Sequence, residues 1–151
     1  MGYIGNLNIQ NQGGNVNMWN QGTINNTNVV NKNGGNFNMQ NNGFMNNTNI
    51  ATYGAHTTGV NNGAMNNTNI KDQNDDTKFA NNGFMNNTSL VSNGAMGYIG
   101  FQNNGKMNNV NLDANYGGQI DFQNTFGALN NMTADASGWS HGKKSQINIL
   151  G

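Results

Sequence analysis

The stretch Met45-Asn46-Asn47-Thr48-Asn49-Ile50 decides the fold, because the chain repeats it. The same six letters return at residues 65–70, and the closely similar Met85-Asn86-Asn87-Thr88-Ser89-Leu90 follows. Related copies begin at Ile4, Ile24, Met107 and Leu129. Successive copies start 20 to 22 residues apart. A period of that length indicates a repeat protein, whose units must stack on one another to bury an apolar core.

A second segment lies between these copies, and Asn15-Val16-Asn17-Met18-Trp19-Asn20 is one of its clearest examples. Both segments alternate apolar or small residues with Asn, which is typical of half-buried β-strands. Turn glycines follow the second segment at Gly22, Gly43, Gly63, Gly83, Gly105 and Gly127. Asn-Gly pairs are expected to supply the positive φ of tight turns. The sequence therefore predicts an all-β fold, a single-chain β-solenoid of about seven strand-turn-strand rungs with amyloid-like cross-β stacking.

The repeat also divides the chain. Residues 1–134 are predicted to form the β-solenoid repeat domain, because the period holds throughout them. Residues 135–151 are predicted to form a C-terminal loop and a final strand of the same domain. The stretch 135–145 breaks the period, and the sequence leaves open whether it is a cap or a mobile loop.

The register of the copies predicts columns of stacked side chains. Core ladders are predicted at Phe37, Met39, Phe79, Phe101 and Phe122 and, on the facing strand, at Val29, Ile50, Ile70, Leu90 and Leu112. Strict alternation places an Asn ladder on the same inward face at Asn25, Asn46, Asn66, Asn86, Asn108 and Asn130. An outward Asn ladder is predicted at Asn26, Asn47, Asn67, Asn87, Asn109 and Asn131. Stacked amides hydrogen-bond from rung to rung, which avoids a cost of about 1–3 kcal/mol for each buried amide left unpaired.

One column does not fit this alternation. The first residue of each copy, such as Met45, Met65 or Met85, has outward parity and yet is always apolar. These side chains either turn inward at the corner beside the Gly turn or form an exposed apolar stripe for lateral packing. The sequence leaves both alternatives open.

The composition excludes several classes of protein. Asn accounts for 39 of the 151 residues. The chain contains no Glu, Arg, Pro or Cys, and its six Asp balance its six Lys. Asn and Gly are poor helix formers, and without Cys there is neither a disulfide framework nor a Cys-ligated zinc site. Scattered Lys residues without Arg form no basic face for nucleic acid, and no apolar run is long enough for a membrane helix. Asn-rich, uncharged, Pro-free chains belong instead to the class prone to β-assembly.

The pattern Asn41-x-Gly43-x-x-Asn46-x-Thr48-x-Ile50 resembles the curlin repeat of the curli major and minor subunits. Curlin repeats have Gln, Gly, Asn and Ala at this spacing, so that Asn stands here in place of Gln and Thr in place of Ala. The resemblance covers roughly residues 4–134. It implies a secreted bacterial β-solenoid that polymerises into extracellular matrix amyloid. The first residues lack the basic region and apolar core of a signal peptide, which leaves the secretion route open.

Residues that could carry catalysis are sparse. His56 and His141, the two histidines, are about 85 residues apart in predicted loops. The stretch 72–76 opens like a calcium loop, but Thr77 stands where that loop requires Gly and Gly83 where it requires Glu. We therefore predict no catalytic residue, metal site or cofactor, and the chain is not expected to be an enzyme.

These patterns favour a structural protein, a self-assembling subunit of an extracellular curli-like amyloid fibre in a biofilm matrix. Its partner would be itself, joined head to tail through the strand edges of terminal rungs. A surface nucleator or anchor is left open as a further partner, and neither nucleic acid nor membrane insertion is expected. One alternative is a β-helix protein of a phage or virion, such as a tail fibre or decoration protein, forming a closed trimer. A further alternative is a solenoid that binds ice or glycans.

Overall fold

A computed structural model describes residues 2–151, which form an all-β chain with 75% of its residues in strands. The predicted β-solenoid is confirmed and makes about six turns. The strands are β1 (Tyr3–Ile4), β2 (Leu7–Gln12), β3 (Asn15–Asn20), β4 (Thr23–Lys32), β5 (Asn36–Asn41), β6 (Phe44–Tyr53), β7 (His56–Asn61), β8 (Ala64–Gln73), β9 (Asp76–Asn81), β10 (Phe84–Asn93), β11 (Tyr98–Asn103), β12 (Lys106–Asn115), β13 (Gln119–Asn124), β14 (Ala128–Ser137), β15 (Trp139–Ser140), β16 (Lys143–Lys144) and β17 (Gln146–Leu150).

Two parallel sheets form the two sides of the solenoid. The first sheet begins with β1 and β2, which both pair with β4, and continues through β6, β8, β10 and β12 to β14. The second sheet runs from β3 through β5, β7, β9, β11 and β13 to β17. Each sheet therefore has seven levels, and the register aligns equivalent residues of successive copies, as in the pairing of Thr48 with Thr68. At roughly 4.8 Å between strands, the stack is about 33 Å tall.

The apolar core lies between the sheets and follows the predicted columns. The ten predicted core-ladder residues are all buried, and Val29, Ile50, Ile70, Leu90 and Leu112 are fully inaccessible to solvent. The rings of Phe79, Phe101 and Phe122 stack on successive levels with centroids 5.5 Å apart. Gly59 is at this position on the level before Phe79, where a Cβ atom would collide with the Phe79 ring. The column therefore accommodates its first large ring by omitting the side chain next to it.

The long strands bend at one Asn in each repeat. Residues Asn26, Asn47, Asn67, Asn87, Asn109 and Asn131 have φ values between 50° and 55°. Asn tolerates this left-handed conformation better than other side chains. The bend interrupts the alternation of inward and outward residues, so that Met45 and Thr48, three positions apart, are both buried.

The bend decides between the two alternatives for the apolar column. Met45, Met65, Met85 and Met107 are fully buried, and Ile24 is nearly so. The inward alternative is confirmed for these levels, and the exposed stripe is wrong. Ile4 is 43% exposed because it lies at the end of the stack.

The same bend corrects the predicted inward Asn ladder. Asn25, Asn46, Asn66, Asn86 and Asn108 are half-buried rather than buried, and Asn130 is exposed. Each of these residues comes directly before the left-handed Asn of its repeat. The bend at the left-handed Asn turns the side chain of the preceding Asn away from the core. The amides still stack in part, since the Nδ2 atoms of Asn66 and Asn86 donate to the preceding Oδ1 atoms at 3.0 Å.

The turn glycines lie at the predicted corner, but the predicted reason for them is wrong. None of the six has positive φ, which occurs instead at the second corner, at glycines such as Gly34 and Gly54. The six are Gly because successive turns stack very closely. A Cβ atom at Gly63 would collide with the carbonyl oxygen of Gly43, and one at Gly83 with that of Gly63.

The C-terminal stretch forms neither an end cap nor an irregular loop. Strand β14 continues to Ser137, beyond the predicted boundary at residue 134. The antiparallel pair β15–β16 then extends the second corner, where the Ser145 hydroxyl donates to the Ser137 carbonyl at 2.7 Å and accepts from the Gly117 N–H at 2.9 Å. The residues of β14 and β17 remain half-buried or exposed.

Candidate self-assembly site

An Asn ladder, buried except at its last member, follows the second sheet from β3 to β13, at the end of each of these six strands before the Gly turn. The Nδ2 atom of each Asn donates to the Oδ1 atom of the next at 2.7 to 2.9 Å. Its members are Asn20, Asn41, Asn61, Asn81, Asn103 and Asn124. Several Nδ2 atoms make a second bond across the turn, as from Asn61 to the Phe84 carbonyl at 3.1 Å. This ladder, rather than the predicted column at Asn46, supplies the buried amide stacking.

Sequence reasoning missed this ladder as a site, although its signal was present. Every strand of the second sheet from β3 to β13 ends in Asn. This holds even for β7, whose other residues depart most from the repeat. A residue kept at a strand end through degenerate copies indicates a structural role for its side chain.

The outward ladder is confirmed and is complete on all seven levels. It begins at Asn6 and continues through the six left-handed Asn residues to Asn131. Every Nδ2 atom donates to the Oδ1 atom of the preceding level, at 2.9 to 3.1 Å. The ladder is therefore directional. Its first level offers the Nδ2 donor of Asn6 outward from the stack, and its last level offers the Oδ1 acceptor of Asn131.

The two ends of the solenoid expose matching parts of the core. At the first end, the partly buried core residues are Leu7, Ile9 and Val16. At the last end, they are Leu129, Met132 and Ile147. Ile149 and Leu150 of β17 are 46% and 61% exposed. Strands β2 and β3 at one end and β14 and β17 at the other are the outermost strands of their sheets. Both ends therefore present strand edges that can pair with another chain.

The titratable groups lie apart from these ends. Asp72 is buried at the second corner, where its carboxylate accepts the Tyr98 N–H at 3.1 Å and the Asp75 N–H at 3.4 Å. Burial raises the pKa of Asp72 to about 7, against these hydrogen bonds. His56 Nδ1 lies 3.1 Å from an Asp75 oxygen, and His141 contacts the Ser140 hydroxyl. The structure does not bring the two histidines together.

The described residues form neither a metal-binding cluster nor a membrane-spanning helix. Residues 2–151 contain no group of three or more His, Asp or Glu side chains placed to hold a metal ion. Over the same residues there is no helix with the length and apolar character needed to cross a membrane.

No protein-family model, no curated protein and no solved structure matches this chain. The fold itself defines the class of the protein, which is a two-sided parallel β-solenoid with stacked Asn ladders. The resemblance to curlin repeats stays a prediction from residue spacing.

Proposed function

We propose that this chain is a structural protein that polymerises head to tail into a fibre. The observation that carries the proposal is the pair of open, matching ends. Each end combines unpaired parallel strand edges with the partly buried ends of the core columns. Leaving such surface in water is unfavourable, and a second copy of the chain has the complementary surface.

The register of the repeat specifies how two copies would join. Continuing each column by one level brings Leu129 against Ile4 of the next copy and Met132 against Leu7. In the second sheet, Ile147 would meet Val16. The directional outward ladder would continue as well, with Asn6 of the second copy donating to Asn131 of the first. Head-to-head stacking would instead place two donors or two acceptors together.

Such an interface joins two different surfaces, so it does not close on itself by a two-fold axis. A stack translated along its own axis extends without limit. Each copy would add about seven levels, or roughly 33 Å of fibre. The formal net charge of zero removes long-range repulsion between copies.

The curlin resemblance adds a setting to this proposal. It implies an extracellular amyloid fibre in a bacterial matrix, with a surface nucleator or anchor as a further partner. The stacked Asn amides and the absence of Pro and Glu suit cross-β stacking, in which like charges repeated every 4.8 Å or so would repel.

Electron microscopy of the purified chain tests the proposal when combined with an end-blocking variant. We expect the unmodified chain to form long unbranched filaments. In Met132→Lys the charge can reach water in the free subunit but would be buried at the junction, so filaments should be absent. Met96→Lys is the matched control, because Met96 is 71% exposed at a corner, and it should form filaments normally.

The proposal fails if the unmodified chain stays monomeric at high concentration. A discrete trimer would contradict it too and would favour the virion alternative. Equal filament formation by both Lys variants would show that the ends do not form the junction.

A further inference from the structure

The outer face of the second sheet departs from the repeat at one place. The central outward column of this face begins with Asn17 and Asn38, whose amides hydrogen-bond at 2.9 Å. Further along, the same column contains Lys78, then Gly100, then Asp121. At Gly100 the side chain is missing, and a groove of about 780 Å³ opens over the sheet. Nothing in the stacking of the core requires this change, because outward residues do not contact the core.

A tyrosine forms one wall of this groove and lies next to a carboxylate. The ring of Tyr98 leans over Gly100, so that a Cβ atom there would lie 3.1 Å from the ring carbon Cε1 and from the hydroxyl oxygen. The Asp121 carboxylate lies close enough to the Tyr98 hydroxyl to interact with it electrostatically. That carboxylate accepts from Gln119 Nε2 at 3.0 and 3.1 Å and from Asn148 Nδ2 at 2.6 Å.

The electrostatics agree with this geometry. Burial, followed by the neighbouring Asp121 carboxylate, raises the pKa of Tyr98. Partial burial alone would raise the pKa of Asp121, but hydrogen bonds from Gln119 and Asn148 hold it below its usual value. The Tyr98 ring of β11 therefore lies over Gly100, beside a carboxylate of β13 that side chains of β13 and β17 hold in place. An aromatic ring next to a carboxylate held by hydrogen bonds is the arrangement expected of a binding site.

The remaining walls define what would fit. Gln102 and Gln123 are exposed beside Gly100, and their amides can both donate and accept hydrogen bonds. Ala80, one level before Gln102 in the same column, adds a short apolar side chain to the lining of the groove. Lys78 and Asp121 carry opposite charges on either side, so the groove is close to neutral and would attract neither a nucleic acid nor a strongly charged peptide.

We propose that this groove binds a neutral sugar, a hexopyranose unit of an oligosaccharide. A pyranose ring has an apolar face of C–H groups that can lie on Tyr98, and its rim carries hydroxyls that both donate and accept, as the amides of Gln102 and Gln123 do. The site does not depend on polymerisation. In a fibre, however, it would recur about every 33 Å, and the repeated sites would bind a long glycan with avidity.

Saturation-transfer difference NMR on the full-length chain tests this proposal, with cellotetraose and maltotetraose as probes. This measurement works for a free subunit and for a fibre alike. We expect a saturable signal from the sugar protons of at least one probe. Gly100→Asn restores the residue found at Asn17 and Asn38, so it should fold, but it displaces Tyr98 and fills the groove. Its affinity should be lower by about tenfold or more, which corresponds to losing one well-placed contact.

Asn69→Gly is the matched control, because it removes an exposed Asn from the other sheet, at mid-stack and away from both the groove and the ends. It should bind the probes as the unmodified chain does. The proposal is wrong if neither probe gives a saturable signal, or if Gly100→Asn binds as well as the unmodified chain. It is also wrong if Gly100→Asn abolishes side-by-side bundling of filaments without any sugar signal, since a second copy would then occupy the groove. Filament length by electron microscopy is expected to be unchanged in Gly100→Asn, which separates this test from the proposed function.

Discussion

The buried Asn ladder predicts a large loss of stability when one of its members is truncated. Asn61 lies at the middle of the ladder and is fully buried. It accepts from Asn41 Nδ2 at 2.8 Å and donates to Asn81 Oδ1 at 2.8 Å and to the Phe84 carbonyl at 3.1 Å. Asn61→Ala removes all three bonds and leaves buried partners unpaired. At about 1 kcal/mol for each bond, with a further penalty for unpaired groups, we expect a loss of about 3–5 kcal/mol.

Asn69→Ala is the matched control for this prediction. Asn69 belongs to an exposed column and donates one hydrogen bond, to Asn49 Oδ1 at 2.9 Å. Water can replace that bond, so the loss should be below about 1 kcal/mol. Both variants are compared by urea denaturation followed by circular dichroism, in the Met132→Lys background to keep the chain monomeric. If the two losses agree within about 0.5 kcal/mol, the ladder does not stabilise the fold as argued.

Three further predictions concern single positions. The pKa of Asp72 is about 7 in the fold against an ordinary 3.8, so the folded chain binds more protons than the unfolded chain between these values. The free energy of unfolding should therefore fall as pH rises from about 4 to 7, by up to about 4 kcal/mol. Asp72→Asn should flatten this dependence in urea titrations at several pH values, and an unchanged slope would contradict the argument. The Thr68 hydroxyl is buried without a hydrogen-bond partner among the described residues, and Val110 occupies the same column, so Thr68→Val should raise the midpoint of thermal unfolding, by about 1 kcal/mol in stability. Gly63→Ala should lower the free energy of unfolding by more than about 3 kcal/mol, because its Cβ atom meets backbone atoms of the preceding turn. Gly34→Ala is strained only by its φ of 77° and should lower it by about 1 kcal/mol. Similar denaturation midpoints for the two variants would refute the close-stacking argument.

Much of the fold follows from the period of the sequence. Equivalent residues 20 to 22 positions apart can stack in register only if strands of successive copies run parallel. The columns at Ile50 and Phe101 could be predicted because those positions remain apolar in copy after copy. Core positions are repeated physical environments, and a repeat displays each environment several times.

The errors arose where alternation fails. The prediction assumed that residues i and i+2 always share a face, but a left-handed residue such as Asn47 shifts the count by one. The shift explains why Met45 is buried and why Asn46 is not. A sign of it was present in the sequence, since the Met and Thr columns lie three positions apart and neither behaves as an outward position.

The six turn glycines and the groove at Gly100 could not have been interpreted from the sequence alone. Gly is compatible with positive φ and with close approach of backbones, and only the distance between successive turns distinguishes the two reasons. The groove depends on Tyr98, Asp121 and Asn148, which are up to 50 residues apart and meet because their strands stack.

The head-to-tail junction can be tested most directly by a disulfide that only neighbouring copies can form. The chain has no cysteine, and Asn8 and Thr133 are exposed members of one outward column at opposite ends of the stack. Within one copy they are six levels apart, roughly 29 Å, whereas at the proposed junction their Cα atoms would be about 4.8 Å apart, within disulfide range.

Mild oxidation of the double variant Asn8→Cys and Thr133→Cys should therefore give an open series of covalent multimers on a denaturing gel. The pair Asn8→Cys and Asn69→Cys places its second thiol at mid-stack and should give far fewer. Monomer alone, a single closed trimer, or equal cross-linking of the two pairs would contradict head-to-tail stacking.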